Sequence, residues 1–155
     1  MTNSKTDITG KQLVGWREWV ALPDLGVERI KAKLDTGART SALDVESWDV
    51  FDQDGHSMVR FALRYGTPRK PQTRECVAPL VEIRQVKDSG GHEHNRAVIR
   101  TRLAVGGDSR VIEMTLSSRS DMKFRMLIGR SAMENLLVDP GRSYLTGKRK
   151  NVRRS

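Results

Sequence analysis

The feature that most constrains this chain is a strand that runs directly into an Asp-Thr-Gly turn. Ile30, Ala32 and Leu34 alternate with Lys31 and Lys33, and Asp35-Thr36-Gly37 follows at once. That alternation is the period-2 signature of a strand with one buried face. Far downstream, Met126-Leu127-Ile128 forms a second apolar run, closed by Gly129-Arg130. An isolated Asp-Thr-Gly would say little, because Asp and Gly are ordinary turn residues. A strand leading in, with a matching run elsewhere, gives the turn a fixed frame.

Those residue types suit one chemistry. Hydrolysis of an amide by two carboxylates needs them close enough to share a proton, which drives one pKa up. The ionised member takes a proton from water, and the protonated member polarises the scissile carbonyl. Asp35 is the candidate catalytic residue. Thr36 carries a hydroxyl able to bond across to a second turn. Gly37 permits a tight bend and brings a bare N–H to a carboxylate. A second match, Asp88-Ser89-Gly90, lies between Lys87 and Gly91-His92-Glu93 with no apolar strand on either side, and reads as a hairpin tip. One convincing copy supplies half of a dyad. The sequence therefore predicts a twofold homodimer in which each protomer contributes one Asp35.

At 155 residues the chain has a one-domain length and can bury a real core. We expect a flexible N-terminus over 1–11, one folded domain over 12–147 and a basic flexible tail over 148–155. No apolar run approaches the ~20 residues of a membrane span, so no membrane partner is expected. The first residues are polar, without the apolar centre of a signal peptide. Cys76, the single cysteine, can make no internal disulfide, which makes the cytoplasm the default location. It has no base beside it in sequence and reads as an inert thiol.

The coarse reading is mainly β. Strands are expected over 13–22, 28–34, 41–51, 57–65, 76–86, 96–105, 110–117 and 124–128. Turns fall at Asp52-Gln53-Asp54-Gly55, at the glycine-rich 88–94 stretch and at Gly106-Gly107-Asp108, with a loop over 66–73 containing Pro68 and Pro71. One short helix is expected over 131–137, just after Gly129-Arg130, and an extended segment over 138–145.

Longer blocks carry a resemblance. They are Trp16-Arg17-Glu18-Trp19, Leu22-Pro23-Asp24-Leu25-Gly26, the run from Lys31 through Asp35-Thr36-Gly37-Ala38-Arg39-Thr40-Ser41 to Leu43, Met126 to Arg130, and Val138-Asp139-Pro140 with Ser143-Tyr144-Leu145. Together they resemble the bacterial retropepsin-like aspartic protease family that also carries the label ATP-dependent zinc protease, the RimB type associated with RimK. The resemblance spans about 14–147. It implies an acid-protease barrel with one half-site per chain, the Asp35-Thr36-Gly37 turn as catalytic element, and a functional link to a RimK-type glutamate ligase. The family often has His where this chain has Asp44.

Zinc and ATP find no support in the residues themselves. His92-Glu93-His94 is one residue short of the helical His-Glu-x-x-His metal motif, and His56 is the only other histidine. Gly141 to Lys148 misses a phosphate loop, with five residues between its glycines and Arg149 in place of Ser or Thr. We expect no cofactor and no metal site.

RimK-type ligases add glutamates to the C-terminus of a ribosomal protein, so the resemblance implies an acidic peptide or glutamate-tailed ribosomal protein as substrate. The charge pattern adds a physical reason. In retroviral enzymes the fourth residue after the catalytic Asp is an acid that pairs with the Arg of the Gly-Arg motif, and here that position is Arg39. Ala38, Arg39 and Arg130 are thus the candidate substrate-binding residues, since Arg pairs carboxylates in bidentate fashion. The competing structural account pairs Arg39 and Arg130 with Asp44, Glu134 or Asp139. Arg96, Arg100 and Arg102 in the candidate flap hairpin could steer an acidic ligand, though a solvated strand face is the commoner cause. Trp16, Trp19 and Trp48 read as packing. Two alternatives stand beside the aspartic peptidase. One is a non-catalytic basic β-domain binding RNA or ribosomal protein, favoured by the net charge of +9; the other is a zinc-dependent peptidase.

Overall fold

The computed structural model describes residues 10–67, 69–87, 89–118 and 124–146. The Asp88 hairpin tip, residues 1–9, Gly147 and the whole 148–155 tail lie outside the described residues. Ten strands follow in chain order: β1 (Gln12–Gly15), β2 (Arg17–Leu22), β3 (Val27–Leu34), β4 (Ser41–Gln53), β5 (His56–Gly66), β6 (Pro71–Lys87), β7 (Glu93–Val105), β8 (Asp108–Ser117), β9 (Met126–Ile128) and β10 (Leu136–Asp139). The chain is mainly β, as the alternation predicts.

Eight strands join in the order β2-β3-β9-β4-β5-β6-β7-β8, and β8 returns to pair with β4. The apolar period dictates which face goes inward. Ile30, Ala32 and Leu34 on β3, Ile99, Leu103 and Val105 on β7, and Ile112, Met114 and Leu116 on β8 are all buried in one core cluster. Tight turns set the hairpin registers. Asp54 and Gly55 both have positive φ, 53° and 83°, and Gln53 pairs with His56. That is the type I′ turn matching the twist of the flanking strands.

Topologically, β9 is the strand that positions the site. It lies between β3, which it pairs in parallel (Leu34 with Ile128), and β4, which it pairs antiparallel (Ala42 with Leu127). Three residues thus tie together segments nearly a hundred positions apart.

Four local expectations are corrected. The first strand breaks at Trp16 into β1 and β2, because β1 leaves to pair in parallel with β10, Gln12 with Leu136 through Gly15 with Asp139. The expected helix over 131–137 is a single 3-10 turn, Arg130–Ala132, and the chain is extended again from Leu136. Its apolar Leu136 goes to the core through a strand instead. The loop expected over 66–73 ends earlier, since β6 begins at Pro71, where a strand tolerates the missing N–H. Glu93 and His94 belong to β7 and not to a turn, with His94 opposite Val86 and Glu93 opposite Lys87.

Candidate active site

Asp35 stands one residue beyond β3, half-buried, with Thr36 and Gly37 exposed after it. Its N–H donates to the Ile128 carbonyl at 2.8 Å, and its own carbonyl accepts from the Ala38 N–H at 3.1 Å. The Gly37 N–H donates to Asp35 Oδ1 at 3.0 Å. The carboxylate is therefore held at both its backbone and one oxygen. Gly37 does not have the left-handed backbone that a demanding bend would need. Nor does space demand glycine, because a Cβ there would stand 3.4 Å from Asp35 Oδ1, an ordinary contact distance.

The Gly-Arg segment is laced onto this turn. The Arg130 N–H donates to the Ala38 carbonyl at 2.8 Å and the Ser131 N–H to the Arg39 carbonyl at 3.1 Å. Arg130 Nη1 donates to the Thr36 carbonyl at 3.1 Å. The Gly129 N–H donates to Ser41 Oγ at 3.0 Å, inside the protein. Gly129 passes so close to the Arg39–Thr40 backbone that a Cβ would lie 2.5 Å from the Thr40 carbonyl carbon. The two sequence motifs are thus one unit in space. Ser41 was not singled out from sequence as a site residue, although it sits in the block that carries the resemblance.

The arginines are not absorbed by the acids expected to claim them. Asp44, fully buried, is clamped by Arg125 at 2.7 Å and Arg64 at 3.1 Å. Arg64 also donates to the Val45 carbonyl at 3.2 Å. Glu134 pairs with Arg110 at 3.2 Å, and Asp139 approaches Arg142 at 4.0 Å. Arg39 is exposed and makes no ion pair among the described residues. Arg130 spends one nitrogen on Thr36 and pairs with none of the three acids. The Asp44 clamp holds two guanidiniums on one carboxylate and so leaves a net positive charge near β9. Nothing in the local sequence announces Arg64 or Arg125 as its partners.

Other expectations sort by burial. Cys76 is buried, and burial pushes its thiol pKa up, against the opposing pull of nearby Arg74. A raised pKa is the wrong direction for a nucleophile. Arg100 reaches Glu113 at 3.5 Å, and Arg102 donates to Ser109 Oγ at 3.3 Å, so both are engaged across β7 and β8. Trp16 packs edge-on to Phe124 with ring centres 5.9 Å apart, and Trp19 stacks on Tyr144 at 6.0 Å. The Arg17 and Arg29 guanidiniums lie over these rings, which makes the pair a cation–π ladder rather than deep core. Among the described residues no three His, Cys, Asp or Glu side chains converge as a metal site needs, and His56, at the start of β5, is far in sequence from His94. Among the described residues the donor set does not fit zinc.

Comparison with known proteins gives the family and the fold. Residues 13–149 match the family described as RimB-like, the retropepsin-like aspartic endopeptidase RimB. A protein of Shewanella pealeana named a probable alpha-L-glutamate ligase is 38% identical over 140 residues, covering 90% of this chain and 31% of that one. A protein of the same name from Desulfotalea psychrophila is 37% identical over 139 residues, covering 89% and 30%. The chain thus spans less than a third of the curated relatives it matches. Among solved structures, the Legionella pneumophila protein Lpg0085, of unknown function, superposes with a TM-score of 0.70 at 26% identity, over 86% of this chain and 96% of that one. Among the described residues no helix is long and apolar enough to cross a membrane. On the match over 13–149, the chain belongs to the RimB-like family of retropepsin-like aspartic endopeptidases.

Proposed function

We propose that this chain is an aspartic peptidase whose folded unit carries one half-site and whose active form is a homodimer. The observation that carries the reading is the turn itself: Asp35, tied to Ile128 and Gly37, is braced from behind by Gly129-Arg130. Two such turns meeting about a twofold axis place two Asp35 carboxylates together, one proton between them. The ionised carboxylate draws a proton from water as that water attacks the peptide carbonyl, and the protonated one stabilises the developing oxyanion. The Thr36 hydroxyl, exposed on each turn, bonds across the axis. Arg130 acts as a positioning residue through Thr36, and its remaining N–H groups, with Ala38 and Arg39, line the approach.

The substrate we assign is an acidic peptide, a glutamate tail on a ribosomal protein. Two observations favour it: the exposed Arg39 beside the catalytic turn, and the occurrence of a domain like this one within longer proteins named glutamate ligases. We read the ligase chemistry as belonging to the other two-thirds of those chains, and this domain as the activity that trims what a RimK-type ligase adds. The test is cleavage of glutamate-tailed peptides by wild type, by Asp35→Asn and by wild type in chelator. Hydrolysis lost in the variant by a factor of about 10²–10⁴ and kept in chelator is the expected result. Full activity in Asp35→Asn, or loss in chelator restored by zinc, would overturn it.

A further inference from the structure

A cavity of about 330 Å3 opens between β4, the start of β7 and the end of β8, and Trp48, Asn95, Arg96 and Ser117 are among its walls. It is at the small end of ligand-site volumes, enough for one or two side chains. None of its lining residues is acidic. Ser117 is 3% exposed, and its Oγ has no hydrogen-bond partner among the described residues. A buried hydroxyl without a partner costs a fold stability and calls for an explanation. A ligand that completes the bond supplies one. Arg96 makes no ion pair among the described residues, and the Asp44 clamp adds its surplus positive charge at the β4 position that pairs with Ser117.

The location relative to the catalytic turn is set by the ladder. Ser41 touches Gly129 beside the Asp35 turn, while Ser117 pairs with Asp44, three residues further along β4. At ~3.3 Å per residue that is about 10 Å, the span of three residues of an extended peptide. We propose that this cavity is a carboxylate pocket: Ser117 Oγ and the Arg96 guanidinium take one carboxylate of a bound acidic peptide, with the Trp48 ring against its aliphatic stem. This deepens the peptidase reading and rests on it for the direction in which the peptide lies.

Binding can be tested without turnover. Oligo-glutamate peptides, and C-terminally amidated oligo-glutamine peptides of the same length that carry no carboxylate, would be titrated calorimetrically into the full chain carrying Asp35→Asn, alone and combined with Ser117→Ala or Arg96→Gln. Each second change should weaken the glutamate peptide by about tenfold or more, and leave the glutamine peptide unmoved. Ser117→Ala deletes only a hydroxyl without a partner among the described residues, so its thermal midpoint should stay level or rise. A C-terminally amidated glutamate peptide separates the two sources of carboxylate: lost affinity assigns the pocket to the chain terminus, retained affinity to a glutamyl side chain, and either fits a carboxylate pocket. Equal binding of both peptides, unchanged affinity in both variants, or a lower midpoint in Ser117→Ala overturns the proposal. Binding as expected with no hydrolysis by the wild type would sink the peptidase reading and leave the pocket standing.

Discussion

Gly129 has no room for a side chain, and the obstacle is backbone. A methyl there would meet the Thr40 carbonyl carbon at 2.5 Å, and a peptide group cannot swing aside as a flexible side chain can. Gly129→Ala should cost about 2–3 kcal/mol, read as a lower urea midpoint at unchanged slope. Activity should fall further than stability, because the displaced segment braces the Asp35 turn. Cys76 makes a pH prediction. Its thiol is held protonated by burial, so the folded pKa lies above the ordinary value of about 8.5. Below that value both states keep the proton and the pH has no effect through this group. As pH rises past it, the unfolded chain loses its proton first, so stability falls. Cys76→Ala should remove this component of alkaline destabilisation. In the native protein the thiol should resist iodoacetamide at pH 8 and react on unfolding; rapid native labelling would contradict its buried placement. At this scale the sequence was informative about geometry carried by consecutive residues. The Gly37 N–H facing the Asp35 carboxylate could be read directly. Ser117 could not, since an orphaned hydroxyl is defined by neighbours from other strands.

Between elements, buried charge replaces apolar contact at two points. Asp44 on β4 holds Arg64 from β5 and Arg125 just before β9. Asp44→Ala would leave two guanidiniums facing one another without a counter-charge. Each is about a quarter exposed, 23% and 24%, so solvent relieves part of the strain. We expect a loss of about 2 kcal/mol, below the 3–5 of a fully buried pair. Arg64→Met in the Asp44→Ala background should recover some of it, and a double-mutant cycle measures the coupling. Glu18 on β2 works differently. It is fully buried, with no basic partner among the described residues. Its oxygens accept from the N–H groups of Gly15 at 2.6 Å, Leu145 at 2.8 Å and Thr146 at 2.9 Å, and from Thr146 Oγ1 at 2.9 Å. Glu18→Gln puts an amide donor among donors. It should cost at least ~3 kcal/mol, about 6–12 °C in the thermal midpoint, by releasing the segment after β10. The strands themselves were legible because alternation is local. The parallel β1–β10 pairing and the threading of β9 between β3 and β4 were not, because no period within a strand names its partner. The helix expected after Arg130 failed for the same reason: tertiary pairing of Leu136–Asp139 with β1 overrides a short stretch of weak helical preference.

For the molecule as a whole, net charge and stoichiometry are separable. A charge of +9 draws any acidic tail toward the surface, and added salt weakens that attraction over a Debye length of ~10 Å at 0.1 M. A basic binding domain without catalysis would show the same salt dependence, so salt alone cannot identify the activity. The decisive property is that a shared dyad makes two chains interdependent. Wild-type and Asp35→Asn chains, mixed in equal amounts and allowed to exchange, should form wild-type, hybrid and mutant dimers at random. Only a dimer with two intact carboxylates works, so activity should fall to about one quarter of that of the same total amount of wild type. A chain that acts alone would give about one half. The same measurement across dilution should show activity per chain declining as dimers part, with the loss tracking the sedimentation coefficient. A value of one half, or activity indifferent to dilution while the protein sediments as a monomer, would reassign Asp35 from a shared dyad to a site complete in each chain.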